Sequence, residues 1–446
     1  MFTKRGLFVI LIASAVMLAL DAGAVLALPL GEVRLSVQSF STAGAGGGPI
    51  GSRFVIHNDG SKEEVGPAIA YNSQRGEYLV VWYNDRPGND DIQAQRVSRN
   101  GTLIGGAFYI SAGQGAERRY PDVAYNNQRN EYLVVWEHDA GVGPSVYGRR
   151  VSATGMVLGS QDIVFASNPS INTNYLQPAI AYSTTSDHYL LVWRYDNGSM
   201  LWQTLVACDI DSDAGSYNSF NIVAWDTPDL PEQPEVAYNR SRNEFLVAWQ
   251  QQTGGGGDFD VYARRVKMTG GAGVSGSAFV IANSADDEIA PSVAAIPTVT
   301  DQGQYLVTWG HESGFTRDIQ GRPVAGVGTP GVTVTLADTP WSEHSPAVAG
   351  CESNQQFLVV WVWIPVVTPP GIMQVQARTL ALDGTPLHDT TYVGGGQVFQ
   401  AAVAAGPTGD FLVAFDDNEV TGTANRGIYG RVWGNRVYLP LVLRNF

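Results

Sequence analysis

The segment Pro121-Asp-Val-Ala-Tyr-Asn-Asn-Gln-Arg-Asn-Glu-Tyr-Leu-Val-Val-Trp136 recurs, reworded, along most of the chain. Its copies end at Trp82, Trp136, Trp193, Trp249, Trp309, Trp361 and, with Phe in place of Trp, Phe415. Successive aromatics therefore stand 54, 57, 56, 60, 52 and 54 residues apart. A self-similar period of this size dictates a repeat architecture, in which each unit buries its apolar faces on its neighbours. The length of 446 residues would otherwise suggest about three domains.

Each repeat carries four strand signals, A to D. In the second repeat they are Asp122–Tyr125, Tyr132–Trp136, Val146–Val151 and Ile163–Ala166, bounded by Gly, Asn, Pro and Asp. Strand B, Leu133-Val-Val-Trp136, has no polar alternation, so both its faces must be covered. A four-stranded sheet covered on both faces needs a sheet stacked on each side, the condition met in a β-propeller. A–B pairs open at Pro67, Pro121, Pro178, Pro234, Pro291, Pro346 and Ala402. The predicted fold is thus all-β, a seven-bladed propeller of antiparallel blades. An N-terminal C–D unit, Val33–Ser41 and Phe54–His57, precedes the first pair, and one strand C, Gly427–Trp433, follows the last. The N-terminal strands should complete the final blade, with two segments competing for its strand C. Arginines recur in strand C, as in Ser145-Val-Tyr-Gly-Arg-Arg-Val151 and Asp260-Val-Tyr-Ala-Arg-Arg-Val266, and their repetition marks them as structural. The Ala or Gly before them should leave room for a neighbouring blade's aromatic.

The pattern Pro-x-Val-Ala-Tyr-Asn…Glu-Tyr-Leu-Val-Val-Trp…Asp-Ile-Tyr-Ala-Arg-Arg-Val resembles the repeats of large secreted bacterial propeller proteins over residues 33 to 433. The resemblance implies a propeller and an exported protein, and carries no activity. The chain departs from the pattern where Met200–Val206 replaces strand C and where Phe415 replaces Trp. Neither the Gly-Gly pair of kelch repeats nor a periodic Trp-Asp of WD40 repeats is found. The end, Val437–Phe446, is similar to the Tyr-Leu-Pro-Leu-Val-Leu-Arg tails on exported proteins of filamentous green bacteria.

The start reads as an export signal over residues 1–27: basic Lys4 and Arg5, apolar Leu7–Leu20, then small residues. The propeller then spans 28–436 and the tail 437–446. No later run is long enough to cross a bilayer. Cys208 and Cys351 belong to well-separated repeats and read as buried thiols. The formal net charge of -15 excludes nucleic acid as a natural partner, because phosphate backbones would be repelled.

In up-and-down blades the A–B and C–D turns share one face of the disc, and the B–C and D–A loops the other. The A–B turns are near copies, as in Asn72–Glu77, Asn126–Glu131 and Asn239–Glu244, so they serve the fold. The opposite face varies from blade to blade, which is where binding sits on a rigid scaffold. Glu64, Glu288 and Glu343 each lie three residues before a blade-opening proline, with Glu232 nearby, and could take a cation or sugar hydroxyls. Tyr120, Trp341 and Trp363 offer flat platforms for sugar rings or a protein, beside His344. Asp209, Asp211 and Asp213 alternate as in calcium loops, yet Ala214 stands where the tight turn wants Gly, and no Glu closes the loop. A solvated turn is favoured there over bound Ca2+. Zinc spacing, a nucleophile elbow and a phosphate loop are all missing. The single Asp-box-like stretch, Asp196–Trp202, has its Trp one residue late.

These features point to a non-enzymatic extracellular binding or scaffold module for glycan, envelope polymer or protein. Two alternatives stay open: a polysaccharide hydrolase or lyase using Glu64, Glu288 or Glu343, and a structural subunit of a surface layer or fibre.

Overall fold

The computed structural model describes residues 47–434, except 87, 168–172, 199–202, 224–229, 253–256, 269–271, 299–302, 366–371 and 419–424. The predicted signal, the strand Val33–Ser41 and the C-terminal tail lie outside the described residues.

Seven four-stranded antiparallel sheets form a seven-bladed propeller. Blade 2 runs from its innermost strand outward as Glu117–Asn126, Glu131–Asp139, Ser145–Ser152 and Val157–Ala166. Each inner strand touches the next, and that of blade 7 touches that of blade 1, so the ring is closed. Blade 7 takes Ala401–Ala405, Phe411–Asp417 and Gly427–Gly434 from the end of the chain and Gly48–His57 from its start. Gly427–Gly434 is therefore the last strand C. Pairing in this blade sets Ala401 opposite Phe415, one residue earlier than the predicted Ala402.

Seven apolar clusters fill the seven gaps between blades. Strand B of blade 2 shows why its sequence lacks alternation. Tyr132, Val134 and Trp136 pack on Leu79, Val81 and Ala94 of blade 1. Leu133 and Val135 pack on Leu191 and Trp193 of blade 3. Across the closure, Trp82 meets Leu412, Ile428 and the N-terminal strand's Ile56. The tryptophans that end the repeats are all buried, as is Phe415. Truncating one of them would cost about 3–5 kcal/mol, the usual penalty for emptying so large a core volume.

The room beside the strand C glycines is filled differently from expectation. A Cβ on Gly148 would stand 2.6 Å from Phe165, and one on Gly430 would stand 2.6 Å from Phe54. Both phenylalanines belong to the outer strand of the same blade, because the pleat of strand C turns this position towards strand D. The recurring arginines are structural. Arg96 and Arg150 each grip a buried carboxylate, Glu77 or Glu131, through two bonds of 2.9 Å. Arg264, Arg322, Arg378 and Arg431 donate to a backbone carbonyl of the preceding blade's outer segment.

Left-handed backbone recurs at two places, one in all seven repeats and one in the first six. The A–B turn does so at Gly76, Asn130, Asp187, Asn243, Gly303, Gln355 and Gly409. The second place is a bulge in the inner strand, at the residue before the proline: Gly66, Tyr120, Gln177, Gln233, Ala290 and Ser345. A side chain there costs roughly 1–2 kcal/mol relative to Gly. The bulge bends the inner strand at this point.

Candidate functional site

The inner strands begin on the face of the B–C and D–A loops, so their first residues surround the channel mouth. Glu64, Glu288 and Glu343 occupy equivalent positions, opposite Asn84, His311 and Trp363 on their second strands. All three are buried. Glu288 accepts from the Ser284 hydroxyl at 2.5 Å and amide at 3.1 Å, and from His311 Nδ1 at 3.2 Å. Glu343 accepts from the Thr339 hydroxyl at 2.6 Å. Burial pushes its carboxyl up to about 7, with the charges of Asp318 and Asp338 adding to the effect. Glu64 bonds His57, which its carboxylate holds above the usual histidine range. Each carboxylate thus anchors the loop that leads into its own blade.

Glu232 is half-buried and paired with Arg194 at 2.6 Å. Trp341 and Trp363 meet edge to face, with ring centroids 6.4 Å apart. His344 takes a bond of 2.7 Å to Arg317 Nη1, and burial followed by that cation lowers it to about 4. Tyr120 is the open one: it is 47% exposed and leans on Tyr83 with centroids 5.7 Å apart.

Asp209, Asp211 and Asp213 lie at the C–D turn of blade 3, on the opposite face. Asp209 accepts from His188 at 2.8 Å and from the Ala272 amide at 3.0 Å. Asp211 and Asp213 each accept from the Gly215 amide at 2.9 Å. Their carboxylates thus serve different partners, and among the described residues no three His, Cys, Asp or Glu side chains gather as a metal site would require. Both cysteines are buried free thiols.

Sequence reasoning missed a carboxyl pair inside the ring. The residue after the inner proline is Ala68, Ala179, Ser292 or Ala347 in four blades, but Asp122 in blade 2 and Glu235 in blade 4. Asp122 Oδ2 accepts from the Ile180 amide of the next blade at 2.7 Å, just as Ser292 accepts from Val348. Glu235 has no hydrogen-bond partner among the described residues. It keeps accessible surface while protein surrounds it, which is the situation of a side chain lining a narrow channel. Burial pushes Asp122 up to about 6 and Glu235 up to about 8, the Asp122 charge adding to the latter. Comparing the repeats position by position at this place would have revealed both. Missed as well were the side chains that cap the bulges. Glu137 accepts from the Gln177 amide at 2.6 Å, and Gln250 from that of Ala290 at 2.7 Å.

The arginines of this face are taken. Arg86 pairs with Asp91, Arg119 with Asp90 and Glu117, Arg317 with Glu312, and Arg426 with Glu63.

No family model matches the chain, and no curated protein matches it. Among solved structures it is similar to an ulvan lyase of polysaccharide lyase family PL25, at TM-score 0.53 and 11% identity over 88% of this chain and 95% of that one. It is also similar to a fungal alcohol oxidase of the AA5 family in complex with copper, at TM-score 0.50 and 10% identity over 87% of this chain and 76% of that one. At such identities the likeness extends to the propeller fold alone.

Proposed function

We propose that the protein is an exported, non-enzymatic propeller that binds neutral glycan at the channel mouth, on the face of the B–C and D–A loops. One observation carries this reading: among the described residues the mouth's arginines and its buried glutamates are occupied with each other or with the loops, and uncharged side chains stand exposed beside them. Glu64, Glu288 and Glu343 anchor loops, and the neighbouring arginines hold carboxylates. Tyr120, Gln400 and Phe399 remain exposed. Such a surface suits uncharged hydroxyl-rich rings, which want amide partners and an aromatic face. Among the described residues it offers uronate or sulfate no arginine that is not already paired with a carboxylate. The ulvan lyase, named for its action on a polysaccharide, adds a fold-level analogy and nothing about the site. Titration calorimetry with neutral and anionic polysaccharides tests the reading; binding confined to the anionic set ends it.

A second reading has its own observation. Asp122 near 6 and Glu235 near 8 would be one ionised and one protonated carboxyl at neutral pH, the combination that glycan cleavage uses. Product release that disappears in Glu235→Gln would favour it over simple binding.

A further inference from the structure

We propose that the bulge residues Tyr120, Gln177, Gln233 and Ser345, with Gln400 of blade 7, form the contact ring that selects a neutral glycan at the channel mouth. The proposal deepens the glycan reading above and rests on it.

The two left-handed positions of blades 1 to 6 make the case. At the A–B turn the occupants are Gly76, Asn130, Asp187, Asn243, Gly303 and Gly409, with Gln355 as the exception. These are residue types that tolerate the conformation. At the bulge the backbone asks for the same φ, between 49° and 56° at its non-glycine residues. Yet after Gly66 the occupants are Tyr, Gln, Gln, Ala and Ser. Backbone preference did not choose them, so their side chains serve some other end. In blade 1 a side chain would displace its neighbours, since a Cβ on Gly66 would stand 2.8 Å from Tyr83 and 3.3 Å from the Gln400 amide oxygen.

Their placement says what that end is. They sit on or beside the innermost strands near the mouth face, flanked by neighbours on both sides, yet all keep accessible surface. Gln177 reaches the next bulge, its side-chain amide oxygen accepting from the backbone amide of Gln233 at 2.9 Å, so these two members of the set adjoin. The set is uncharged, combining amide and hydroxyl groups with one aromatic face. That combination recognises sugar hydroxyls and the apolar face of a pyranose, and lacks the cation that would favour an anion over a neutral ring.

The test uses the full chain and its variants Tyr120→Gly, Gln233→Gly and Ser345→Gly, with Gln355→Gly on the opposite face as control. Binding of xylo-, cello- and galacto-oligosaccharides, and of polygalacturonate as the anionic probe, is measured by titration calorimetry beside Tm. Glycine relieves the strained backbone, so every variant should hold or raise Tm. The mouth variants should bind neutral oligosaccharide roughly ten-fold more weakly, as loss of one well-placed contact implies, while Gln355→Gly binds like the parent. Parent binding that survives unchanged in the mouth variants overturns the ring and leaves the glycan reading standing. Mouth variants whose Tm falls well below that of Gln355→Gly mark these residues as structural and also overturn it. A parent that ignores all the neutral probes removes both.

Discussion

The two faces of the disc solve the same backbone problem with opposite chemistry. On the A–B face, Asn72 Oδ1 accepts from the amides of Gln74 and Arg75, and Asn126 Oδ1 from those of Gln128 and Arg129. Below these two turns a buried glutamate takes a two-pronged arginine. Blade 4 repeats the set with Asn239, Arg242, Glu244 and Arg265, and the left-handed turn residue recurs in all seven blades. On the other face the bulge recurs, but its side chain and cap change from blade to blade. Repetition of both backbone and side chain marks a part that holds the ring. Repetition of backbone alone marks a scaffold whose side chains are free to meet something else.

The sharpest way to break that contrast is Glu131→Ala. It leaves Arg150 facing a buried gap and removes the second contact to Arg129. The expected loss is about 2–3 kcal/mol, read as a lower urea midpoint. A loss below about 0.5 kcal/mol, the range of an ordinary surface change, would mean the A–B face does not hold the blade. Asn126→Ala should follow at about 1–2 kcal/mol, since two turn amides lose their acceptor together.

Features set by the period were open to sequence reasoning, and features set by pairing register were not. The apolar run Leu133–Trp136 announces a strand covered twice, and the Trp82-to-Phe415 series therefore gave the blade count and the ring. The bulge is invisible in the string because a proline preceded by Tyr, Gln or Ser does not announce left-handed backbone. Spacing alone set Glu64, Glu288 and Glu343 in equivalent places. Their burial depends on where the D–A loop runs, although Ser284 and Thr339, four residues before Glu288 and Glu343, were a readable hint. The contact between Gly430 and Phe54 joins opposite ends of the chain, and no local pattern carries it.

Between the two faces lies the carboxyl pair, which should make stability depend on pH. Glu235 ionises near 8 in the fold against an ordinary value of 4.5, and Asp122 near 6 against 3.8. Between those limits the unfolded chain binds fewer protons than the folded one, so stability falls as pH rises. It is complete below about pH 4 and declines until about pH 8 for these two groups. Glu235→Gln should flatten the upper part of that decline in Tm profiles from pH 5 to 8. A parent whose Tm stays level across that window would show that water in the channel solvates the pair.

The smallest effect expected is at Glu63→Gln, and it tests the comparison with the same chemistry that Glu131 uses. Glu63 also faces an arginine, Arg426, and that pair joins blade 1 to blade 7. The Glu63 side chain is 38% exposed, however, where that of Glu131 is 6% exposed. Water replaces most of what the arginine provides, so the change should stay within about 0.5 kcal/mol and shrink further as salt is raised to about 1 M. If Glu63→Gln instead lowers the urea midpoint as much as Glu131→Ala, the mouth face holds the ring as firmly as the turn face. Its variability would then reflect seven local solutions to closure, and the case for a binding surface there would have to rest on the bulge residues alone.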